Sequence, residues 1–172
     1  MKFTCKKEDI TSAISNVSKA VSPKSTITAL EGIKLNLDNS KLELTGYDLE
    51  IGITTFIDCD STDSGEIILN SRLFSEITRR MPSDMITYEI NENLNLTIIG
   101  GNAEYQISAI SAEEYPALPE IEKENPIKIS QSVLKSMINQ TVYAVSTNDA
   151  KPIMTGELFD IENNFVSRAC KA

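Results

Sequence analysis

Apolar and polar positions alternate over much of the chain, and turn residues interrupt the alternation at short intervals. Residues 2–6 place Phe3 and Cys5 on one face. Glu8 and Asp9 then open a stretch with apolar residues at Ile10, Ile14, Val17 and Val21. A short strand feeding an amphipathic helix is expected, its first-turn acids suited to the helix dipole. After the break at Ser22, Pro23, Lys24 and Ser25 come three alternating runs: Ile33, Leu35 and Leu37; Leu42 and Leu44; Leu49, Ile51 and Ile53. Turns at Asp38-Asn39-Ser40 and at Gly46 separate them, which predicts an antiparallel meander. A strand over 65–69 precedes a second helix, capped by Asn70 or Ser71 and stopped by Pro82 after Met81. On that helix Leu73, Phe74, Ile77 and Met81 form the apolar side, with Arg72 and Arg79 nearly opposite. Three more strands, over 85–90, 94–99 and 103–110, are separated by Asn91-Glu92-Asn93 and Gly100-Gly101-Asn102.

Residues 111–126 hold five glutamates and three prolines without periodicity and read as an interdomain linker. Beyond this linker the chain repeats its own start at an offset of 124 to 126 residues. Lys128-Ile129-Ser130 echoes Lys2-Phe3-Thr4. A helix with Val133, Leu134, Met137, Ile138, Val142 and Val145 echoes the first helix, and the run from Pro152 echoes that from Thr28, with Gly156 matching Gly32. Recurrence of strand, helix and strand in order indicates a tandem duplication of one domain type. The expected organisation is a complete domain over 1–112, a linker over 113–126, an incomplete second domain over 127–164, and an atypical tail over 165–172 without counterpart in the first copy.

Composition narrows the chemistry. With 41% hydrophobic residues the 172-residue chain can bury a core. It contains no histidine, which excludes Ser-His-Asp and Cys-His sites, an imidazole base and His-ligated zinc. Three cysteines without CxxC spacing suit a reducing cytosol, and neither a signal peptide nor a membrane-spanning run is present, so a cytoplasmic location is expected. The net charge of −9 argues, as a sum, against nucleic acid. Separated by element it does not: the three expected helices with their flanks carry seven basic and four acidic residues, net +3, and the remainder carries net −12. The third helix offers Lys135, Asn139, Gln140 and Tyr143 on its outer face. Such mildly basic, amide-rich faces suit loose contact with phosphates.

Carboxylate chemistry is the alternative a histidine-free chain leaves open. Asp48 and Glu50 lie two apart and would share one strand face. Asp58, Asp60 and Asp63 suggest a calcium loop but lack the late bidentate Glu of an EF-hand, and Gly100-Gly101 is not followed by the helix a phosphate loop needs.

Five segments together carry a resemblance: Met1-Lys2-Phe3-Thr4, Leu44-Thr45-Gly46-Tyr47-Asp48-Leu49-Glu50, Ser71-Arg72-Leu73-Phe74, Glu114-Tyr115-Pro116-Ala117-Leu118-Pro119 and Lys151-Pro152-Ile153-Met154-Thr155-Gly156. In order and spacing they resemble the bacterial DNA polymerase III beta subunit, the sliding clamp family, over residues 1 to about 164. The resemblance implies an α+β protein with the DNA clamp fold, antiparallel sheets outside and helices lining the inner face of a head-to-tail ring. It implies a non-catalytic processivity role without cofactor or metal, in association with the polymerase holoenzyme. Implied partners are double-stranded DNA, the replicative polymerase catalytic subunit, the clamp loader and a second copy as homodimer, with no membrane. Carried over residue by residue, Lys24, Arg72, Arg79, Arg80, Lys135, Asn148 and Lys151 would contact DNA, Met154 would line the partner-peptide pocket, and Tyr105 and Ile107 would lie on the ring-closing edge. Because the repeat stops early, a truncated form unable to encircle DNA alone is expected. A partial clamp acting as an interaction module that binds clamp partners is the alternative function.

Overall fold

The computed structural model describes residues 1–119, 126–148, 150–162 and 165–169. The chain forms two compact units, Met1–Glu120 and Ile121–Ala172.

In the first unit the alternating runs become strands, and the periodic stretches become helices, in the order β1 (Lys2–Lys6), α1 (Lys7–Val17), β2 (Gly32–Asp38), β3 (Lys41–Tyr47), β4 (Gly52–Asp58), β5 (Ser64–Asn70), α2 (Ser71–Arg80), β6 (Met85–Ile90), β7 (Asn95–Gly100), β8 (Ala103–Ser108) and β9 (Ile110–Ser111). All pairings are antiparallel, giving a four-stranded sheet β1-β6-β7-β8 and a five-stranded sheet β4-β3-β2-β5-β9. The strand expected over 103–110 divides at Ala109, whose N–H donates to Leu94 O at 2.7 Å, and the chain changes sheet there.

Period-two patterning sets the layers. The registers Leu35↔Leu44, Ile33↔Leu69 and Phe3↔Tyr88 put apolar residues of neighbouring strands on one face of each sheet. That face joins Ile10, Ala13, Ile14 and Val17 of α1 and Phe74 of α2 in one core. Burying each such Leu, Ile or Phe contributes roughly 1.5–3 kcal/mol. Phe3 stacks on Tyr88 with centroids 4.8 Å apart, and Phe74 meets the same ring edge-on at 5.9 Å.

The helix predicted over 71–81 buries Phe74 and Met81 and packs Ile77 against the core as expected, but its apolar side is shifted at one position. Leu73 is 48% exposed, whereas Thr78 is fully buried because its hydroxyl bonds Tyr88 Oη at 3.2 Å. Of the two candidate caps Asn70 takes the position, its Oδ1 accepting from Leu73 N at 3.1 Å. Gly46 is no turn: it lies inside β3, where a Cβ would overlap the Val17 carbonyl oxygen and stand 3.0 Å from its carbon. The turn comes two residues later. Asp48 Oδ1 accepts from the N–H groups of Glu50 and Ile51 at 2.9 and 2.7 Å, which holds the carboxyl below its usual range, and Leu49 takes φ 79°. Asp48 and Glu50 therefore do not share a strand face.

The first part of the expected linker belongs to the first unit. A 3₁₀ turn over Ala112–Glu114 delivers Tyr115 into a second apolar cluster with Ala29, Leu30, Tyr47 and Ile68, and Leu118 packs against it. Tyr115 Oη donates to Thr45 O at 3.3 Å. Burial pushes this phenol up to about 12, partly offset by a backbone hydrogen bond from Tyr47. A raised acid pKa favours the neutral form in the folded state, so the stabilisation is whole below the ordinary tyrosine pKa of about 10 and is lost as pH rises toward 12. Relative to Tyr115→Phe, the wild type should lose stability over that window only, measured as the difference between their urea midpoints at successive pH values.

In the second unit Ser130 caps α3 (Gln131–Thr141), its Oγ accepting from Val133 N at 3.4 Å, and a 3₁₀ turn over Pro152–Met154 leads to β10 (Leu158–Glu162) and β11 (Phe165–Ala169). Residues 128–130 form no strand, unlike their counterparts in β1, which pair with β6. Residues 165–169 do have a counterpart: Glu162↔Phe165 and Ile161↔Val166 repeat, 124 residues on, the pairing Asp38↔Lys41 and Leu37↔Leu42 of β2 with β3. The tail expected to match nothing thus begins as the second strand of the repeated hairpin.

Candidate nucleic-acid interface

Helices α1 and α2 pack on each other in the first unit, leaving their polar stripes together on the side away from the sheets. The N-terminal acids of α1 and the last-turn Arg79 and Arg80 of α2 each suit their helix dipole. Two contacts fix the pair. Lys7 Nζ donates to the Met81 carbonyl at 2.6 Å, closing the end of α2, and the Ser18 and Ser71 hydroxyls meet at 3.1 Å.

Two neighbouring grooves run along this layer. The larger, of about 620 Å³, is lined by Ser71, Arg72, Ser75 and Arg79 of α2 with Ser18 and Ser22 opposite, and Glu31 and Glu76 at its margin. The smaller, of about 560 Å³, is lined by Thr11, Ser12, Ser15 and Asn16 of α1 with Arg79, and by Glu8 and Asp84. Arg79 lines both. Arg72 is tied to Glu76 at 3.1 Å, a pair so exposed that it contributes little. Arg79, Arg80 and Lys24 are exposed and make no ion pair among the described residues. The layer is rich in hydroxyls and only mildly charged. It can donate several hydrogen bonds to phosphate oxygens without the dense cation array that would immobilise an anion.

Of the expected DNA contacts, Arg72 and Arg79 come together in one groove, while Lys24 and Arg80 stand exposed outside the linings. In the second unit Lys135 is exposed on α3 and Lys151 follows a turn in which Asn148 Oδ1 accepts from Ala150 N at 3.0 Å. Among the described residues no group takes the Asn148 amide nitrogen, which can serve an external acceptor. Met154 is half-buried, and the adjacent cavity of about 230 Å³ is lined instead by Pro152, Ile153, Gly156, Glu157 and Leu158. Tyr105 and Ile107 lie on β8, an edge strand; Tyr105 is 42% exposed and Ile107 packs against the core. Sequence reasoning missed the hydroxyl rows. Thr11, Ser15 and Ser18 recur at i, i+4 and i+7, and Ser71, Ser75 and Arg79 at i, i+4 and i+8, which places each set on a stripe flanking the apolar one, with the Thr11 hydroxyl itself buried.

A two-sheet, two-helix unit followed by a partial repeat of itself is the architecture of a DNA clamp domain. Residues 1–119 match the DNA polymerase III beta subunit N-terminal domain, and the chain belongs to that family. It is 39% identical over 173 residues to the beta sliding clamp of Bacillus subtilis and 34% identical over 175 residues to that of Halalkalibacterium halodurans, in each case with 46% of the relative covered and 95% and 97% of this chain. Among solved structures, the Bacillus subtilis sliding clamp superposes with TM-score 0.88 at 36% identity over 94% of this chain and 45% of that one. The Pseudomonas aeruginosa clamp bound to griselimycin superposes with TM-score 0.91 at 25% identity over 98% and 46%. The chain thus spans about half the length of the relatives it matches.

Proposed function

We propose that the first unit lays its α1/α2 layer along the phosphates of duplex DNA, as the DNA-facing part of a sliding clamp that tethers a replicative polymerase without catalysing a reaction itself. The observation that carries this is Arg79, exposed and without an ion pair among the described residues, where two hydroxyl-lined grooves meet. Few, sequence-independent phosphate contacts hold a duplex loosely enough to slide. Lys24, Arg72 and Arg80 add to this face; Lys135, Asn148 and Lys151, on the second unit taken by itself, are DNA contacts of the same kind. In the same reading Met154 belongs to a site for polymerase and clamp-loader peptides, and Tyr105 and Ile107 to the edge where a second copy closes the ring. The setting is DNA replication in the cytoplasm; among the described residues no helix is long and apolar enough to cross a membrane.

Anisotropy of labelled duplexes at low salt tests it. Binding should fall steeply with salt and ignore sequence. Arg79→Glu should weaken it about tenfold and reduce the salt slope by about one or more. Unchanged binding by that variant would sink the assignment of this face.

A further inference from the structure

We infer that Cys5 and Cys59 are a dithiol pair that closes reversibly into a disulfide at the junction of the two sheets of the first unit. The geometry follows from register. Thr4 and Asp60 exchange both backbone hydrogen bonds, Thr4 N to Asp60 O at 3.0 Å and Asp60 N to Thr4 O at 2.8 Å, in an isolated antiparallel bridge between β1 and the residues after β4. The next facing pair along an antiparallel bridge of this kind is 5 with 59, and it is a non-hydrogen-bonded one. Such pairs hold their Cα atoms about 4.5 Å apart with side chains on one face. A disulfide accepts about 4.4–6.8 Å.

Four further observations agree. Cys59 N–H donates to Ser40 O at 2.9 Å, away from β1, as a non-hydrogen-bonded partner requires. Cys59 packs against the core cluster that contains Cys5, so the two side chains lie on the same side. Ser61 Oγ donates to Lys2 O at 2.6 Å and keeps the two segments aligned on the other flank of the bridge. The thiols are within electrostatic reach of each other, since a charge on Cys59 opposes ionisation of Cys5.

The chemistry is thiol–disulfide exchange with a low-molecular-weight disulfide as oxidant. The Cys59 thiolate, the more exposed of the two, attacks one sulfur of the oxidant and releases one thiol. The Cys5 thiolate then displaces the second thiol from the mixed disulfide, so that two protein thiols are oxidised and one external disulfide is reduced to two thiols. Burial raises both thiols, and Asp58 and Asp60 raise Cys59 further, so exchange is slow at neutral pH. The bond would turn a junction held by one backbone bridge into a covalent staple that encloses α1 and β2 to β4 in a single loop.

Glutathione disulfide added to the reduced full-length chain, followed by acid quench, peptide mapping without reduction and thermal melting, tests this. The expected result is the Cys5 peptide joined to the Cys59 peptide, with a melting temperature raised by at least about 4 °C that reverts on reduction. Cys59→Ser, or Cys59→Ala should serine disturb folding, should lose both the link and the shift. Recovery of Cys59 only as its glutathione adduct, pairing of Cys5 with Cys170, or a Cys5–Cys59 link no faster in native buffer than in urea would each overturn the proposal.

Discussion

Replacing Gly46 by alanine should destabilise the first unit by about 3 kcal/mol, at the upper end of overpacking costs. The position is a strict test because the backbone there is ordinary: Gly46 is not among the residues of positive φ. At such a site Gly→Ala alone would stabilise by about 0.4–1 kcal/mol through the unfolded chain. Here the added carbon would overlap the Val17 carbonyl oxygen, stand 3.0 Å from its carbon and 3.1 Å from Val21 Cγ2. The first two atoms are backbone at the end of α1, and no rotamer change can move them. Either β3 or the helix must shift, and Leu42 and Leu44, fully buried on the same strand, would shift with it. Gly156 supplies the control. Among the described residues nothing lies within 4 Å of its missing Cβ, and its φ is not positive, so Gly156→Ala should be neutral or slightly stabilising. Urea denaturation followed by circular dichroism, with hydrogen exchange to assign the loss to α1 and β3, measures both.

Gly46 also shows where the sequence stopped being informative. Its neighbours alternate and a glycine interrupts them, so the local pattern reads as a turn; that a helix end presses on the strand is a long-range fact no window contains. The same holds for Tyr115 and Leu118. Prolines and glutamates around them announce a linker, but two apolar side chains in a polar stretch find a cluster formed by Ala29, Leu30, Tyr47 and Ile68. What depends on local periodicity was legible: the meander, all three helices, and the stripe carrying Arg72 and Arg79. Thr78 was not, because only its hydrogen bond to Tyr88 makes a hydroxyl at that position compatible with full burial. In the grooves Arg72 and Arg79 stand among seven hydroxyl residues and four acids, which the charge of the helices alone does not reveal. Net charge per helix takes no account of these neighbours, so the mildness of the α1/α2 layer is a property of its packing.

Tyr88→Ala should be the most damaging single truncation in the first unit, costing about 3–5 kcal/mol, a large part of the stability of a domain this size. Tyr88 is fully buried in the centre of the four-stranded sheet and touches both layers, stacking on Phe3 of β1 and receiving Phe74 of α2 edge-on. Removing the ring opens a cavity where sheet and helix meet, and loses two aromatic pairs worth about 0.5–1.5 kcal/mol each beyond area. Its hydroxyl poses a separate question, answered by smaller changes. Tyr88→Phe leaves the buried Thr78 hydroxyl without the partner it holds at 3.2 Å, and Thr78→Val leaves the Tyr88 hydroxyl equally orphaned, so each should cost about 1–3 kcal/mol. Together they replace a hydrogen-bonded pair by two apolar groups of the same shape, and the double variant should recover most of either loss. Burial holds the Tyr88 phenol neutral well above its ordinary range, so the pair behaves as an uncharged hydrogen bond at every pH where the protein would be studied. Urea midpoints for the four proteins close the cycle. If the two single losses simply add in the double variant, the hydroxyls are not paired, and the burial of Thr78 needs another cause.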